Sequence, residues 1–180
     1  MEDFPAIERR SGRIKLLLMD CDGVLTDGSL TLLENGDEQK TFNVRDGQGI
    51  VLLHRAGLQC GIISGRNSSF VQRRAAELGI KPELVCQGSA DKIKDFDRLL
   101  ALAHVRHDAV AYIGDDLADI ALMHRAELAV AVADAAPETL AAAHYITRAP
   151  GGRGAVRELC ELILKAQGHW RRLMENYTPG

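Results

Sequence analysis

An apolar run, Ile14-Lys15-Leu16-Leu17-Leu18-Met19, passes directly into the polar stretch Asp20-Cys21-Asp22-Gly23-Val24-Leu25-Thr26-Asp27-Gly28. The run predicts a short buried strand over 14–20, and the polar stretch then lies in the loop at its carboxyl end. In open α/β sheets, ligands bind at that edge. Asp20 and Asp22 repel each other unless a cation or a shared proton relieves them, and Mg²⁺ is the hard cation that prefers oxygen ligands. Taken alone, the stretch also fits a solvated turn, because Asp and Gly are ordinary turn residues.

Length and composition are those of an ordinary globular chain, with 180 residues, 46% hydrophobic and 26% charged residues, and a net charge of −3. We expect a single domain over 1–180, and the negative charge disfavours a general nucleic-acid binder. The amino terminus lacks the apolar core of a signal peptide, and no run of ~18 apolar residues could span a membrane. The cysteines are scattered without a CxxC pair, which predicts no zinc site and a reducing, cytoplasmic location. They are Cys21, Cys60, Cys86 and Cys160.

Strand-like and helix-like segments alternate along the chain, which predicts an α/β fold with a Rossmann-like parallel sheet covered by helices on both faces. The strand-like runs are 14–20, 59–63, 83–86, 109–113, 128–132 and a weaker run at 144–147. The helical patterns lie at about 48–57, 67–78, 90–103, 117–125, 136–142 and 153–167. Ser89, Asp116 and Pro137 are residue types that favour helix starts. We expect the first dozen residues and the tail from about 168 to be frayed, disordered or bound to a partner.

One segment, 29–43, breaks this alternation and predicts a β-hairpin. Its centre carries Asn35-Gly36, the strongest short signal for a hairpin turn. Because the segment directly follows the carboxylate loop, we expect the hairpin to project over or beside the site. Its apolar side chains are too many for an isolated two-stranded projection in water, so it needs a partner. They are Leu30, Leu32, Leu33 and Phe42.

Three further polar clusters follow, or nearly follow, predicted strands and should converge on the same edge of the sheet. They are Ser64-Gly65-Arg66, Gln87-Gly88-Ser89 with Lys92 beyond it, and Gly114-Asp115-Asp116-Leu117-Ala118-Asp119. This inventory fits phosphoryl transfer from a phosphate monoester. A carboxylate attacks phosphorus, Mg²⁺ neutralises the phosphate, and Ser64, nearby amides and Lys92 hold its oxygens. A second carboxylate must protonate the leaving alkoxide and then activate water.

The ordered set of Asp20-Cys21-Asp22-Gly23-Val24, Ile63-Ser64-Gly65-Arg66, Lys92 and Gly114-Asp115-Asp116-Leu117-Ala118-Asp119 resembles the haloacid dehalogenase superfamily of phosphohydrolases. The resemblance implies that Asp20 forms an aspartyl-phosphate and that Asp22 is the general acid and base. It further implies Mg²⁺ on the Asp20 carboxylate, the Asp22 carbonyl and the Asp115 carboxylate, with Asp116 or Asp119 orienting these ligands and Lys92. Receiver domains of two-component signalling also place Asp, Lys and a hydroxyl around Mg²⁺. Their acidic pair follows the first strand, however, whereas the doublet here follows the fourth main strand.

Two more segments, Phe42-Asn43-Val44-Arg45-Asp46-Gly47 and 147–158, resemble one family in that superfamily, the 3-deoxy-D-manno-octulosonate 8-phosphate phosphatases. About 40 residues separate Asp22 from Ser64, and about 25 separate Arg66 from Lys92. Neither gap is long enough for a separate cap domain, so the spacing fits a capless family. The resemblance covers about 13–169 and implies a Mg²⁺-dependent homotetramer in lipopolysaccharide sugar synthesis that acts on a phosphorylated acidic sugar. The substrate-binding residues predicted in this way are Asp22, Asn43, Val44, Arg45, Asp46, Gly47, Ser64, Gly65, Arg66, Arg74, Lys92 and Arg153.

Some of these residues have simpler interpretations. Arg74 fits a solvated helix surface equally well, and Arg45-Asp46 fits an exposed turn ion pair of little energetic consequence. Arg153 could be an ordinary basic residue in a flexible loop, although its flanking glycines allow close approach to a ligand. Some relatives also carry a basic residue where this chain has Val51, which bears on the sugar and not on the phosphatase chemistry.

The apolar hairpin and the missing cap together predict a symmetric homo-oligomer, with a tetramer as the first expectation. Hairpins from several copies would pack together, and segment 150–157 would lie over a neighbour's Asp20 with Arg153 reaching that site in trans. Two alternative functions stay open. One is a phosphatase for a nonulosonate 9-phosphate, a longer sugar on the same scaffold. The other is a catalytically weak oligomerisation subunit of a sugar-activating enzyme, which would have no need of intact Asp20, Asp22 and Lys92.

Overall fold

Six parallel strands form the central sheet of the computed structural model, which describes residues 3–34 and 38–177. In chain order the strands of the described residues are β1 Leu16–Met19, β2 Thr31–Leu32, β3 Glu38–Gln39, β4 Gln59–Ile63, β5 Val85–Cys86, β6 Val110–Gly114, β7 Leu128–Ala131 and β8 Tyr145–Ile146. The sheet has the order β5-β4-β1-β6-β7-β8, and β2 and β3 pair separately. The order reverses direction at β1, which is the doubly wound arrangement that places a ligand crevice at this point.

The register of the sheet brings the predicted motifs side by side. Met19 at the end of β1 pairs with Ile62 of β4 on one side and with Ile113 of β6 on the other. The residues that follow these strands therefore emerge next to one another. Strand β1 itself is buried along its whole length, as expected for a central parallel strand with helices on both faces.

Among the described residues, six helices lie near the predicted helical segments, with differences at their ends, and two further helices that were not predicted lie near the ends of the chain. In chain order the helices are α1 Phe4–Ser11, α2 Val44–Arg55, α3 Ser69–Glu77, α4 Lys92–Ala103, α5 Ile120–Met123, α6 Pro137–Ala142, α7 Ala155–Ala166 and α8 His169–Met174, with 3₁₀ turns at Pro82–Leu84, His107–Ala109 and Leu117–Asp119. Pro137 and Asp116 start their helical turns as predicted. Helix α4, in contrast, is capped by Asp91 and not by Ser89, because the Asp91 carboxylate accepts a hydrogen bond from the Lys94 amide.

Both ends of the described chain are more ordered than the sequence suggests. Helix α1 is capped by the Asp3 carboxylate and packs against α7, with Ile7 buried. Helix α8 buries Leu173, and the Tyr177 hydroxyl accepts a hydrogen bond from Arg55 of α2. The expectation of frayed or disordered ends is therefore wrong for these residues. Helices this short have little stability alone, so their order comes from tertiary packing that a local pattern does not reveal.

The hairpin forms where the sequence predicts it. Strands β2 and β3 pair antiparallel, with Thr31 opposite Gln39 and Leu32 opposite Glu38, and the predicted Asn35-Gly36 turn lies outside the described residues. Between β1 and β4 the described residues form only this hairpin and α2, and between β4 and α4 only α3, a 3₁₀ turn and β5. The α/β fold, the hairpin after the first strand and the lack of a cap domain are thus confirmed. Within residues 3–34 and 38–177, no helix combines the length and apolar character needed to cross a bilayer.

Candidate active site

Three carboxylates converge at the carboxyl edge of the sheet. Asp20 follows β1, and its backbone amide donates to the Ile113 carbonyl of β6 at 3.1 Å, which places it beside the loop that carries Asp115 and Asp119. One carboxylate oxygen from each of these three aspartates lies within 4.8 Å of the others. The convergence of the first and fourth motifs therefore follows from the pairing of β1 with β6.

A single lysine lies within this acidic cluster. Lys92, the first residue of α4, donates to Asp20 Oδ1 at 2.9 Å and to Asp119 Oδ1 at 2.7 Å. The buried Tyr112 hydroxyl also donates to Asp119 Oδ1 at 2.7 Å, and the Asp115 amide donates to Asp119 Oδ2 at 3.0 Å. Asp119 thus accepts hydrogen bonds from these three groups, the Lys92 ammonium among them, and so fixes the position of Lys92. Its role as a supporting residue of the metal site stays a prediction.

Asp116 is not one of the three clustered carboxylates and acts on the cluster through Asp119. Its carboxylate accepts from the Leu117 amide at 2.8 Å and forms a reciprocal capping box with Asp119 at the start of the 3₁₀ turn. Reciprocal caps of this kind satisfy amides that would otherwise lack partners at a helix start. Asp116 therefore orients Asp119 and, through it, Lys92.

The electrostatics of the cluster call for a cation. Burial raises the pKa of Asp20 to about 6, with Asp119 adding to the rise and the Lys92 ammonium opposing it. Burial is also the main cause at Asp115, where Asp20 and Asp119 add to it and the pKa rises to about 7. One ammonium does not balance three neighbouring carboxylates. A divalent cation with oxygen ligands would balance them, and these donors fit Mg²⁺ by charge and by chemistry.

The backbone of the first motif packs directly against Asp115. Gly23 has a φ of +88°, and a Cβ added there would lie 2.0 Å from Asp115 Oδ2. Glycine is required at this position both for the left-handed backbone and for the close contact. The peptide that follows Asp22 is thereby held next to the Asp115 carboxylate, as a metal site that uses the Asp22 carbonyl would need.

The second and third motifs form one joined loop. Ser64 is buried, its amide donates to the Cys86 carbonyl at 2.9 Å, and its carbonyl accepts from the Ser89 amide at 3.0 Å. The Ser64 hydroxyl accepts from the Arg66 amide at 3.2 Å. Gly65 lies in the same turn, where a Cβ added to it would lie 4.0 Å from the Ser89 carbonyl oxygen. The loops after β4 and β5 thus hold this hydroxyl and several amides at the same edge as Lys92.

The residues predicted to contact the sugar divide into two groups. Asn43 caps α2 by accepting from the Arg45 amide at 2.8 Å, which starts the helix earlier than expected, and Val44 beside it is 78% exposed. Arg74 reaches the same place, since a Cβ at Gly47 would lie 2.3 Å from Arg74 Nη2. The structure therefore brings Asn43, Val44, Gly47 and Arg74 together at the start of α2.

Asp46 has a different environment from the one predicted. It is buried, and its two carboxylate oxygens accept from the Gly154 amide at 3.1 Å and the Arg157 amide at 2.8 Å. The carboxylate thus caps the amino terminus of α7 instead of lying open to a substrate. Its partners Gly154 and Arg157 lie 108 and 111 residues away along the chain, so this contact could not be read from the local motif.

The glycine-rich segment 150–154 packs closely against the loop that follows β1. The Gly152 amide donates to the Val24 carbonyl at 2.9 Å, and a Cβ at Gly151 would lie 1.7 Å from the Gly23 carbonyl oxygen. Arg153 lies 3.6 Å from Asp27 of the same chain. The segment therefore packs on the catalytic loop of its own chain, and the reach of Arg153 into a neighbour's site stays a prediction.

Two charged residues of the hairpin reach the site without having been predicted to do so. Lys40 pairs with the Asp22 carboxylate, and Glu38 pairs with Arg66. A signal was present in the sequence, because Glu38 and Lys40 are two residues apart and two-residue spacing places strand side chains on one face. Their partners lie 18 and 28 residues away along the chain, which no local pattern reveals.

The chain is similar to known phosphatases over most of its length. The model of the haloacid dehalogenase-like hydrolases matches residues 85–157. A 3-deoxy-D-manno-octulosonate 8-phosphate phosphatase of Yersinia pestis is 48% identical over 88% of this chain and 84% of that protein. A YrbI-family phosphatase structure from Pseudomonas syringae pv. phaseolica has a TM-score of 0.94 at 48% identity, covering 98% of this chain and 99% of that one.

A third relative carries ligands. The structure of 3-deoxy-D-manno-octulosonate 8-phosphate phosphatase from Moraxella catarrhalis, in complex with a magnesium ion, a phosphate ion and the octulosonate sugar, has a TM-score of 0.94. It is 39% identical to this chain and covers 98% of it, with 100% of that chain covered in return. Each of the two solved structures covers 98% of this chain, so the similarity extends over nearly the whole fold.

Proposed function

The chain belongs to the family of 3-deoxy-D-manno-octulosonate 8-phosphate phosphatases, haloacid dehalogenase-like hydrolases, and we propose that the cluster of Asp20, Asp115, Asp119 and Lys92 is the centre of its reaction. It is a phosphoric monoester hydrolase with Mg²⁺ as cofactor. It releases the free sugar acid and phosphate from 3-deoxy-D-manno-octulosonate 8-phosphate, a step of lipopolysaccharide sugar synthesis. The observation that carries the proposed site is the pairing of Lys92 with both Asp20 and Asp119 at a buried strand end.

In the first half-reaction an Asp20 carboxylate oxygen attacks phosphorus. The bond from phosphorus to the sugar oxygen breaks, and Asp22 gives its proton to the departing alkoxide. Lys92, the Ser64 hydroxyl and the amides of the 64–66 turn hold the phosphoryl oxygens as charge builds on them. Asp20 then carries the phosphoryl group as an aspartyl-phosphate.

In the second half-reaction a water molecule attacks the same phosphorus and Asp22 takes its proton. The bond to Asp20 breaks, which restores the carboxylate and releases phosphate. We assign metal binding to the Asp20 and Asp115 carboxylates and the Asp22 carbonyl, with Asp116 and Asp119 as supporting residues. The bound Mg²⁺ supplies positive charge that lets an anionic nucleophile approach an anionic phosphate.

The sugar end of the substrate is assigned to the opening between the hairpin and the start of α2. At the start of α2 this opening is bordered by Asn43, Val44, Arg45 and Gly47. It is also bordered by Arg74, whose side chain reaches Gly47, and by Arg66 in the loop after β4. Arginine suits the carboxylate of an acidic sugar, because its planar guanidinium binds carboxylates with two hydrogen bonds. The capless fold leaves this opening accessible to a substrate of this size.

The assembly is a proposal of the same kind. Leu30, Leu32 and Leu33 of the hairpin are exposed, which is unusual for three neighbouring leucines. We assign them to contacts between copies in a homo-oligomer, with a tetramer as the first expectation. We further propose that residues 1–180 act as a single domain and that the enzyme works in the cytoplasm.

The test is a kcat/KM panel of phosphosugars with purified protein, each measured with and without Mg²⁺. The octulosonate 8-phosphate should be preferred over a nonulosonate 9-phosphate and over neutral hexose phosphates. A preference for the nine-carbon substrate would show that the protein is a nonulosonate 9-phosphate phosphatase, the alternative enzyme. No Mg²⁺-dependent phosphate release from any member of the panel would favour the catalytically weak subunit.

A further inference from the structure

The returning strand of the hairpin brings two opposite charges to the site. Glu38 lies in β3 and Lys40 directly after it, so both side chains extend from the same face of this extended segment. The Lys40 side chain is only 4% exposed and pairs with Asp22 Oδ1. Glu38 pairs through Oε1 with Arg66, which follows β4. The hairpin therefore contacts both the first and the second motif of the catalytic edge.

The second carboxylate oxygen of Glu38 lacks a partner. Glu38 Oε2 is buried and accepts no hydrogen bond from any residue that the structure describes. A buried acceptor without a donor is destabilising by about 1–3 kcal/mol, and by more when it carries charge. Such an oxygen is expected to have a donor in the functional state. A sugar hydroxyl is a donor of the right chemistry, and the Arg66 side of the opening is where the proposed function places the sugar.

The position of Lys40 bears on a different step. Asp22 must present a carboxyl oxygen to the sugar oxygen that leaves, and its side chain has several rotamers at a loop. The ammonium of Lys40 fixes Oδ1 from a nearly buried position, which leaves the other oxygen to face the substrate. Small displacements of a group that transfers a proton reduce the rate steeply, by about 100-fold for about 1 Å.

We propose that the hairpin supplies the sugar-side wall of this active site, with Glu38 accepting a hydrogen bond from a substrate hydroxyl and Lys40 acting as the positioning residue for Asp22. This inference rests on the proposed function for the identity of the substrate. It gives the hairpin a catalytic purpose within its own chain, in addition to any contact between copies.

The experiment compares Glu38→Gln, Lys40→Met and Lys40→Arg with wild type in steady-state hydrolysis of the octulosonate 8-phosphate at saturating Mg²⁺. Inorganic phosphate serves as a second probe, because it occupies the phosphate subsite without touching the sugar wall. Glu38→Gln should raise KM about 10-fold with kcat within about 2-fold, the expected loss of one hydrogen bond to a charged acceptor. Lys40→Met should lower kcat roughly 10- to 100-fold with little change in KM, and Lys40→Arg should recover part of it.

The inhibition constant of phosphate should stay within about 3-fold of wild type in all three variants, which separates a local effect from a damaged site. Gln39→Ala, on the opposite face of the same strand, and Lys15→Met, at the other end of the sheet, are the matched controls and should behave as wild type. Unchanged kcat and KM in the variants would overturn the inference. So would a rise in the phosphate inhibition constant by the same factor as KM, since that would mark a general structural defect.

The proposed function can fail separately from this inference. If the wild-type protein hydrolyses a different phosphorylated sugar acid, the proposed substrate is wrong, and the same variants are then compared on that sugar. For any hydroxylated substrate, the Glu38 variant should change mainly KM and the Lys40 variants mainly kcat. If the variants do not differ in this way on the substrate that the protein hydrolyses, the role of the hairpin is refuted.

Discussion

The acidic centre and the hairpin belong to one site but are held in opposite ways. Asp20 and Asp115 follow β1 and β6, two fully buried neighbours in a six-stranded sheet. The hairpin has two residues in each strand, exposes Leu32 to 67%, and is tied to the site by ion pairs. A two-stranded ribbon of this kind has little stability alone. The reaction chemistry therefore rests on the rigid sheet, whereas the contacts proposed for Glu38 and Lys40 rest on a weakly supported element.

The largest effect should follow from a change at the rigid centre. Asp20→Asn removes the attacking oxygen charge while leaving the sheet intact, so kcat should fall at least about 1,000-fold. Circular dichroism and the thermal melt should show a folded protein. Asp108→Asn, an exposed aspartate at the opposite end of the sheet, is the control and should keep full activity. Retention of more than a few per cent of activity by Asp20→Asn would remove Asp20 from its assigned role.

Removal of the metal should have the next largest effect. Dialysis against EDTA should reduce hydrolysis at least about 100-fold, because the three clustered carboxylates repel the phosphate once Mg²⁺ no longer neutralises this charge. Added Mg²⁺ should restore the rate. The readout is phosphate release before and after Mg²⁺ is returned to the same sample. Full activity after rigorous chelation would contradict the metal site.

A smaller effect concerns the stability of the metal-free protein. Burial and neighbouring carboxylates raise the pKa of Asp115 to about 7 and that of Asp20 to about 6, from an ordinary value of 3.8. Raised values mean that the folded state binds these protons more tightly than the unfolded state does. Their favourable contribution is therefore complete below about pH 4 and is lost as the pH rises through 6 to 7. The metal-free protein should lose stability between pH 5 and pH 8, to an extent set by these two groups.

Asp115→Asn tests whether the clustered carboxylates cause this loss of stability with rising pH. Without metal at pH 8 it should be more stable than wild type by about 1–2 kcal/mol, since a partly solvated charge is removed from a repulsive cluster. Urea unfolding at pH 5 and pH 8, with EDTA and with Mg²⁺, gives the four values needed. Mg²⁺ should stabilise wild type more at pH 8 than at pH 5. A metal-free Asp115→Asn protein that is less stable than wild type at pH 8 would show that these carboxylates do not repel one another.

The smallest effect on the fold should come from the hairpin. Leu32→Ser should change the free energy of unfolding of the single chain by less than about 1 kcal/mol, because the side chain is mostly exposed. It should nevertheless shift the assembly toward smaller species, as measured by light scattering. Leu102→Ser, an exposed leucine of α4, is the control and should leave the assembly unchanged. A wild-type protein that is monomeric and fully active at assay concentration would refute the proposed oligomer.

The same contrast explains what the sequence could predict. Apolar runs that end in polar motifs located β1, β4 and β6, and the parallel topology then required Asp20, Ser64 and Asp115 to meet. Asn35-Gly36 located the hairpin. Each of these signals is local, because it depends only on residues that are close together in the sequence.

What the sequence did not provide are contacts between distant segments. The capping of α7 by Asp46 joins residues more than 100 positions apart, and α1 packs against α7 and β7, which lie far from it in sequence. The pairing of Lys40 with Asp22 depends on how far the hairpin folds back, which its turn does not specify. Segment 150–154 packs on the Gly23 backbone for a similar reason, because close approach needs glycines that resemble a flexible loop in sequence.

The most direct test of the account is to trap the phosphoryl group on the protein. The enzyme is mixed with the octulosonate 8-phosphate and Mg²⁺, quenched in acid after a few turnovers, and treated with borohydride, which reduces an acyl phosphate of aspartate to homoserine. Mass spectrometry of the peptide containing Asp20 and Asp22 then locates the reduced residue. The account predicts reduction at Asp20 that depends on both substrate and Mg²⁺ and is lost in Asp20→Asn. Reduction at another residue, or none while hydrolysis proceeds at its full rate, would contradict it.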